Sequence, residues 1–210
     1  MALTDYALES KTDLAALAEA IRTKTGNAGT LTVPQMKTAV DSIEAGGGND
    51  GRAAAFASDT GIGSITAEDL KGATKIASYA FYNRWSLTGS VTIPDTVKNI
   101  YSSAFQISQF FTSLDLGNGV ETIGQYAFGT CKGLTSVIIP ASVSKIENSA
   151  FYNSTGLNSV TFKGTPSSIG SSVFGACGAL VDIYVPWAEG AVANAPWGAT
   201  NATIHYDSEV

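Results

Sequence analysis

The sequence is poor in the residues on which most catalytic and metal sites depend. Its 210 residues include one histidine, His205, and two cysteines, Cys131 and Cys177. A lone histidine in a predicted closing strand is typical of a structural or exposed side chain. No stretch resembles a nucleophile elbow, the cysteines and the histidine are not spaced as metal ligands, and the glycine-rich stretches lack a phosphate-loop order. The sequence therefore predicts a non-enzymatic protein without cofactor or metal.

Positive charge and long apolar runs are also scarce. The chain has 12 Lys and Arg against 18 Asp and Glu, a net charge of -6 and no basic block, which argues against a nucleic-acid partner. No stretch approaches 18 consecutive apolar residues, so membrane insertion is not expected. Asp5, Glu9 and Lys11 interrupt the N-terminal stretch, so no signal peptide is expected.

A repeat of about 23 residues dominates the middle of the chain. Five similar stretches each begin with an isoleucine, at successive spacings of 24, 23, 23 and 23 residues. The isoleucines are Ile76, Ile100, Ile123, Ile146 and Ile169. We number coil positions from each of these isoleucines as position 0. Phenylalanine recurs at coil position 5, as Phe81, Phe105, Phe128, Phe151 and Phe174. A fixed period of this kind predicts a solenoid in which each coil stacks on the next.

Each coil also carries a short alternating segment. Val137 and Ile139 are typical of the inward residues of a strand at coil positions 13 to 17, which Pro140 ends because proline cannot donate to a sheet. The phenylalanines are predicted to form a stack of rings along the core. Cys131 and Cys177 both fall at coil position 8, two coils apart. At ~4.8 Å per coil, their α-carbons are too distant for a disulfide, so free thiols are expected.

The pattern Ile-x-x-x-Ala-Phe, followed by Leu-x-x-Val-x-Ile-Pro, resembles the BspA-type leucine-rich repeats over residues 76–186. The resemblance implies an α+β repeat solenoid of about five 23-residue coils, with a curved parallel β-sheet on one side and mostly irregular coil on the other. It also implies that cysteine at coil position 8 is a small core residue. Gly117 and Lys163 replace the usual proline, so those two coils are expected to turn differently.

Segments on either side are expected to cap the solenoid. The N-terminal cap is predicted at residues 59–75. Thr66 and Asp69 predict the start of a short helix there, and Leu70 is predicted to cover the end of the core. In the C-terminal cap, residues 187–210, Trp187 and Trp197 are predicted apolar lids, and a closing strand is predicted within residues 202–206.

Residues 1–45 differ in kind and predict a small α-helical hairpin. Apolar residues recur there at helical spacing in two stripes. The stripes are Leu14, Leu17, Ala18 and Ile21, and then Met36, Val40 and Ile43. A glycine-rich linker at residues 46–58 follows. Two short helices bury little area between them, so we expect this module to attach to copies of itself or to a larger assembly. A homo-oligomer is expected, and a trimer is assumed from a fibre-like setting rather than from any residue pattern.

Two stretches are similar to segments of bacteriophage proteins. "LAEAIRTKTGNAGTLTVPQM" resembles N-terminal stretches of tail and other virion proteins, and "VPWAEGAVANAPWGATNATIHY" resembles the ends of phage proteins with these repeats. The resemblance implies a virion protein of a tail, tail fibre or baseplate, assembled in the host cytoplasm. Residues 1–45 would bind other virion proteins, and the repeats a host-surface glycan or protein or a neighbouring subunit. Alternatives are a bacterial surface adhesin and a structural spacer or decoration protein.

Candidate ligand-binding residues lie on the outward side of the predicted strands. Coil position 15 carries Asp115, Ile138, Thr161 and Tyr184, and coil position 13 carries Ser113, Ser136, Ser159 and Asp182. The first coil has one extra residue, so its corresponding residues, Thr92 and Ser90, fall one position later. These residues predict two parallel ladders able to hydrogen-bond a sugar or a peptide, unless they only solvate the sheet. A second candidate is the aromatic set Tyr79, Tyr82, Trp85 and Tyr101, with Tyr152 further along.

Overall fold

A computed structural model describes residues 63–209 of the chain. Within this range the chain forms eleven β-strands and no helix, and it has no helical segment of the length and apolarity that a membrane crossing requires. Six long strands are β2 (Ser90–Thr92), β4 (Ser113–Asp115), β6 (Ser136–Ile139), β8 (Ser159–Phe162), β10 (Asp182–Tyr184) and β11 (Thr203–His205). Five two-residue strands are β1 (Lys75–Ile76), β3 (Asn99–Ile100), β5 (Thr122–Ile123), β7 (Lys145–Ile146) and β9 (Ser168–Ile169). The helical hairpin predicted for residues 1–45 and the linker predicted for residues 46–58 lie outside the described residues.

The strands build a parallel β-solenoid of about six turns. The 23-residue period accounts for about five coils. The structure adds a turn at the C-terminal end, because β11 pairs in register with β10 and aligns Ile204 with Ile183, although the residues between them leave the period. The predicted closing strand is therefore confirmed.

The side of the solenoid that was expected to be irregular carries a second sheet. The short strands pair in parallel in the order β1-β3-β5-β7-β9, and each contains one of the repeating isoleucines. The connecting residues on this side are turns and coil, as predicted, but the prediction of mostly irregular coil missed this sheet. Two-residue strands are too short to show alternation in the sequence.

The predicted stack of phenylalanine rings is confirmed and fills the core. All five phenylalanines at coil position 5 are fully buried. Their ring centroids lie 4.8, 5.2, 5.3 and 5.7 Å apart, and each consecutive pair is stacked. Each coil thus contributes one ring that only its neighbours can cover.

Between the short and long strands, every coil bends at the same two places. Coil positions 3 and 7 adopt positive φ in all five coils, for example 58° at Ser103 and 65° at Ile107. This backbone directs N–H groups to the next coil: Phe105 donates to the Ala127 carbonyl at 2.8 Å, and Ile107 to the Gly129 carbonyl at 2.9 Å. Left-handed residues are costly for side chains other than glycine, and these hydrogen bonds offset part of that cost.

Coil position 8 forms a buried column of serine and cysteine, which we call the Ser/Cys column. Its members are Ser108, Cys131, Ser154 and Cys177. The side chain of each donates to the carbonyl of the phenylalanine in the preceding coil, at 2.6, 3.2, 2.8 and 3.2 Å in that order. Both cysteines are free and buried, which confirms the expectation of free thiols that serve as small core residues.

The N-terminal end continues the stacking without a helix. Ile65 is buried and forms a parallel bridge with Val91, and Leu70 is buried in the core. Thr66 and Asp69 make the reciprocal hydrogen bonds of a capping box, at 2.7 to 3.3 Å. The residues that follow form turns, so the predicted short helix is wrong. Only six residues, all in turns, separate Thr66 from Ala73, and a segment of this length is too short to form a stable helix.

At the C-terminal end, two tryptophans cover the last coils. Trp187 and Trp197 are buried, and both pack at an angle against Phe162, with ring centroids 5.2 and 5.9 Å away. The Trp197 carbonyl accepts a hydrogen bond from the Phe174 N–H at 3.0 Å. The predicted role of the two tryptophans as apolar lids is therefore confirmed.

Candidate binding face

The long strands place the candidate residues side by side, but in two groups. β2 pairs with β4, and β6, β8, β10 and β11 form a separate four-stranded sheet. In the smaller group, Thr92 lies opposite Asp115 and Ser90 opposite Ser113. β4 and β6 are neighbours in the solenoid, but they are not paired with each other, so the backbone pairing beneath the predicted ladders is interrupted at this point.

In the four-stranded sheet, two ladders run without interruption. The first, which we call the outer ladder, contains Ile138, Thr161, Tyr184 and His205. The second, which we call the polar ladder, contains Ser136, Ser159, Asp182 and Thr203. Ile138 is 54% exposed, Ser136 and Thr203 are exposed, and the others are half-buried. The sequence thus predicts the outward residues of β6, β8 and β10 correctly. His205 and Thr203 of β11 were not among the predicted residues.

His205 joins the two ladders at the last strand. Its ring stacks on Tyr184 with centroids 4.5 Å apart and planes 13° apart. Its Nε2 atom lies 2.7 Å from Oδ1 of Asp182 in the neighbouring strand. Aligning Ile204 with Ile183 in the sequence places His205 at the position of Tyr184, so the signal was present in the closing strand. The structure therefore assembles an aromatic pair with an adjacent carboxylate.

A shallow depression marks the interruption between β4 and β6. It has a volume of about 350 Å³ and is lined by residues of both strands and their following turns. Gly117, in place of the usual proline, has a φ of 59°, and the Asp115 carboxylate accepts a hydrogen bond from its N–H at 2.9 Å. Asp95 accepts from the Asn118 N–H at 2.6 Å. The different turn expected at Gly117 is present, and Asp115 stabilises it.

A second depression, of about 260 Å³, lies on the short-strand sheet. Glu147 lines it and accepts hydrogen bonds from Lys145 Nζ at 2.8 Å and from the Gln125 N–H at 3.1 Å. The hydrogen bond from Lys145 holds the pKa of the Glu147 carboxyl below its ordinary value. These partners satisfy the carboxylate within the fold, so this depression is a weaker candidate for a ligand than the ladders.

The aromatic candidates lie apart from the ladders. Tyr82 and Trp85, 40% and 61% exposed, belong to the connection from β1 to β2 rather than to a strand. Tyr79, Tyr101 and Tyr152 are exposed as well. Phe110 is also exposed, at 53%, and was not among the predicted candidates. It lies next to Phe111, which occupies a core position, so the pair reads as one apolar segment. The structure does not bring this aromatic set together with the outer ladder.

The described residues offer little for metal or thiol chemistry. No group of three or more His, Cys, Asp and Glu side chains among them could hold a metal ion. Burial raises the pKa of both thiols, to about 11 for Cys177, so neither is a reactive thiolate at neutral pH. What the described surface can do is hydrogen-bond and stack.

Comparisons with known proteins agree with this architecture. A family model described as "BspA type Leucine rich repeat region" matches residues 53–189 in six copies. No curated protein matches the sequence. Among solved structures, a leucine-rich cell surface protein of Faecalibacterium prausnitzii is similar at 25% identity and a TM-score of 0.50, over 57% of this chain and 30% of that one.

The pneumococcal vaccine antigen PcpA is similar at 19% identity and a TM-score of 0.63, over 77% of this chain and 40% of that one. Its similarity concerns the fold alone. The chain thus spans less than half the length of either of these two proteins.

Proposed function

The chain belongs to the BspA-type leucine-rich repeat family, and from this premise we propose that it is a non-enzymatic recognition protein of a bacteriophage particle. In this proposal it belongs to a tail, tail fibre or baseplate. The outer and polar ladders bind a host-surface glycan or protein, or a neighbouring subunit. The observation that carries the binding role is the in-register run of Ile138, Thr161, Tyr184 and His205 across four strands.

The chemistry of the ladders suits a ligand with flat apolar patches and hydroxyl groups. Ile138 offers an exposed aliphatic surface, and the stacked Tyr184 and His205 offer aromatic edges. Asp182 and the serines of the polar ladder supply acceptors and donors one strand spacing apart, ~4.8 Å. Sugars and extended peptides both present polar groups next to apolar surface, and rigid aromatic side chains are common anchors of such sites.

A binding experiment with matched variants tests the ladder role. The full chain is applied to a glycan array and to host cells, beside Tyr184→Ala, Ile138→Ala and the control Tyr152→Ala. Tyr152 is 40% exposed but lies outside the ladders. Binding is expected to fall at least about tenfold, ~1.4 kcal/mol, in the two ladder variants and to stay unchanged in the control. Wild-type binding that all three variants retain would contradict the ladder role, and absence of any wild-type binding would favour the structural spacer.

The place in a particle has its own test. We propose that residues 1–45 attach the chain to other virion proteins and that the chain is a homo-oligomer, with a trimer assumed. Immunogold labelling of purified particles should mark a tail structure, and deletion of residues 1–45 should abolish that label. The solution mass of the full chain, compared with that of the deletion variant, checks the oligomer. Absence of the protein from purified particles would remove the virion proposal while leaving the ladder test intact.

A bacterial surface adhesin is the second candidate. The similarity to the Faecalibacterium prausnitzii cell surface protein favours it, at 25% identity over 57% of this chain. The same ladders would then serve attachment from a cell rather than from a particle. Fractionation of producing cells separates the candidates: an adhesin is found on the intact cell surface, and a virion protein sediments with particles after lysis.

A further inference from the structure

Exposed aromatic side chains gather on the first two coils. Of the eight large hydrophobic residues exposed in the described part of the chain, five lie between residues 79 and 110. We call these five the aromatic patch: Tyr79, Tyr82, Trp85, Tyr101 and Phe110, with exposures of 62%, 40%, 61%, 45% and 53%. An aromatic side chain can bury 150–250 Å², so the patch presents on the order of 500 Å². Exposed aromatic side chains are common anchors of binding sites.

The repeat itself provides the comparison that makes this patch unusual. At coil position 9, where the first coil has Trp85, later coils have Gln109, Lys132, Thr155 and Gly178. At coil position 10, where the second coil has Phe110, later coils have Gly133, Gly156 and Ala179. The fold accepts polar or small residues at these positions, so coil geometry does not require the aromatic rings. A partner specific to the first two coils would account for them.

Several contacts hold the aromatic patch in place. Trp85 Nε1 donates to Asn83 Oδ1 at 2.6 Å, and the rings of Tyr79 and Tyr82 meet edge to face at 5.6 Å. The Tyr79 N–H donates to the carbonyl of Ser102, the residue after Tyr101, at 3.2 Å. Orientation before binding lowers the entropy cost of an interface. The rings are thus positioned for docking.

The chain enters the solenoid beside this patch. The Gly63 carbonyl accepts a hydrogen bond from the Thr88 N–H at 3.1 Å, and Ser64 Oγ accepts one from the Ser90 N–H at 3.0 Å. Thr88 is three residues from Trp85, a separation of at most ~11 Å. Residues 1–62 therefore join the described structure within reach of the patch.

We propose that residues 10–45 of the same chain dock on the aromatic patch through their two apolar stripes. That segment carries apolar residues at helical spacing, including Leu17 and Ile21, and too little area to fold alone. A chain of 17 residues, as from 46 to 62, reaches at most ~60 Å, which is more than the width of two coils, ~10 Å. Docking here leaves the ladders open, so it does not depend on the binding role proposed for them. It does compete with attachment of residues 1–45 to other virion proteins, because the same apolar stripes cannot contact both surfaces at once.

Quenching of tryptophan fluorescence by acrylamide in the full chain tests this docking. Trp85 is the reporter, because Trp187 and Trp197 are buried and 5% and 1% exposed. The double variant Leu17→Asp/Ile21→Asp places charge on the first stripe, and Thr12→Asp/Thr23→Asp is the control with the same charge change off the stripe. We expect the accessible fraction of the fluorescence to rise severalfold in the first variant and to stay at the wild-type value in the control. Unchanged emission from Trp187 and Trp197 shows that the solenoid remains folded.

Three results would overturn the proposal. Trp85 freely quenched in the wild-type chain would mean that the patch is open to an external partner. Equal quenching of both double variants would mean that the stripe does not cover it. Protection that disappears on dilution, in step with a falling solution mass, would assign the occupant to a second copy instead. Each result leaves the glycan and host-cell test of the ladders unaffected.

Discussion

At the scale of single residues, the Ser/Cys column shows why serine and cysteine are interchangeable at coil position 8. Ser154 Oγ donates to the Phe128 carbonyl at 2.8 Å and accepts from the Cys131 N–H at 3.1 Å, all fully buried. Ser154→Ala leaves both backbone groups unsatisfied, which is expected to lower the free energy of unfolding by about 2 kcal/mol. Urea denaturation measures the loss.

Ser154→Cys is the matched control for that substitution. A thiol makes the same contact at Cys131 and Cys177, each 3.2 Å from its carbonyl acceptor, so the cysteine variant should lose less stability than the alanine variant. Equal losses would mean that the hydrogen bonds of the column contribute nothing and that only its volume matters.

The two native thiols should be inert to labelling. Cys131 and Cys177 are 0% and 3% exposed, and burial raises their pKa, to about 11 for Cys177. Reaction with iodoacetamide at pH 8 needs exposed thiolate, so mass spectrometry should find no label in the folded protein and two labels in urea. Prompt labelling without urea would show that the column opens readily.

At the scale of elements, the long strands could be predicted and the short ones could not. A segment such as Ser136–Ile139 alternates exposed and buried residues, which the sequence displays as period two. A segment such as Lys145–Ile146 buries a single isoleucine, which gives no alternation. Repetition of the isoleucine established its importance, but only the stacked coils show that its backbone pairs with the neighbours.

The turn after β4 depends on glycine. Gly117 has a φ of 59°, and a Cβ atom there would lie 2.5 Å from the Ile93 carbonyl oxygen of the preceding coil. Gly117→Ala is therefore expected to lower the free energy of unfolding by about 2 kcal/mol. Thermal and urea unfolding both measure this change.

Gly178→Ala provides the comparison. A Cβ atom at Gly178 meets nothing within 4 Å, and the alanine variant should stay within about 0.5 kcal/mol of the wild type. If both alanine variants were equally stable, the turn after β4 would be relaxing into another conformation.

At the scale of the whole molecule, the sequence predicted which residues point outward but not where the ladders break. Period and alternation placed Ile138, Thr161 and Tyr184 in line, and the strand pairing agrees. The residues of β4 and β6 themselves do not explain why the pairing is interrupted between these two strands. The interruption coincides with the turn at Gly117, where the Asp95 and Asp115 carboxylates accept hydrogen bonds from the N–H groups of Asn118 and Gly117. His205 belongs to the outer ladder because β11 pairs with β10, although the residues before β11 do not follow the 23-residue period.

Phe128 lies at the middle of the ring stack and links the two halves of the solenoid. Its ring contacts Phe105 and Phe151, at centroid distances of 5.2 and 5.3 Å. Phe128→Ala should lower the free energy of unfolding by about 3 to 5 kcal/mol. Ile138→Ala, at a side chain that is 54% exposed, should change it by only about 0.5 kcal/mol. Comparable losses in the two variants would contradict a core organised around the stack.

The left-handed residues between the sheets also give their own column of peptide groups an electrical direction. N–H groups in this part of each coil point to the next coil, as from Phe81 to Ala104, Phe105 to Ala127 and Phe128 to Ala150. Peptide dipoles aligned in this way add along the column, as they do along a helix, whereas N–H groups beside the short strands, as from Tyr101 to Ile76, point to the preceding coil. The C-terminal end is therefore the positive pole of this column, and the Trp197 carbonyl that meets the Phe174 N–H neutralises part of that pole.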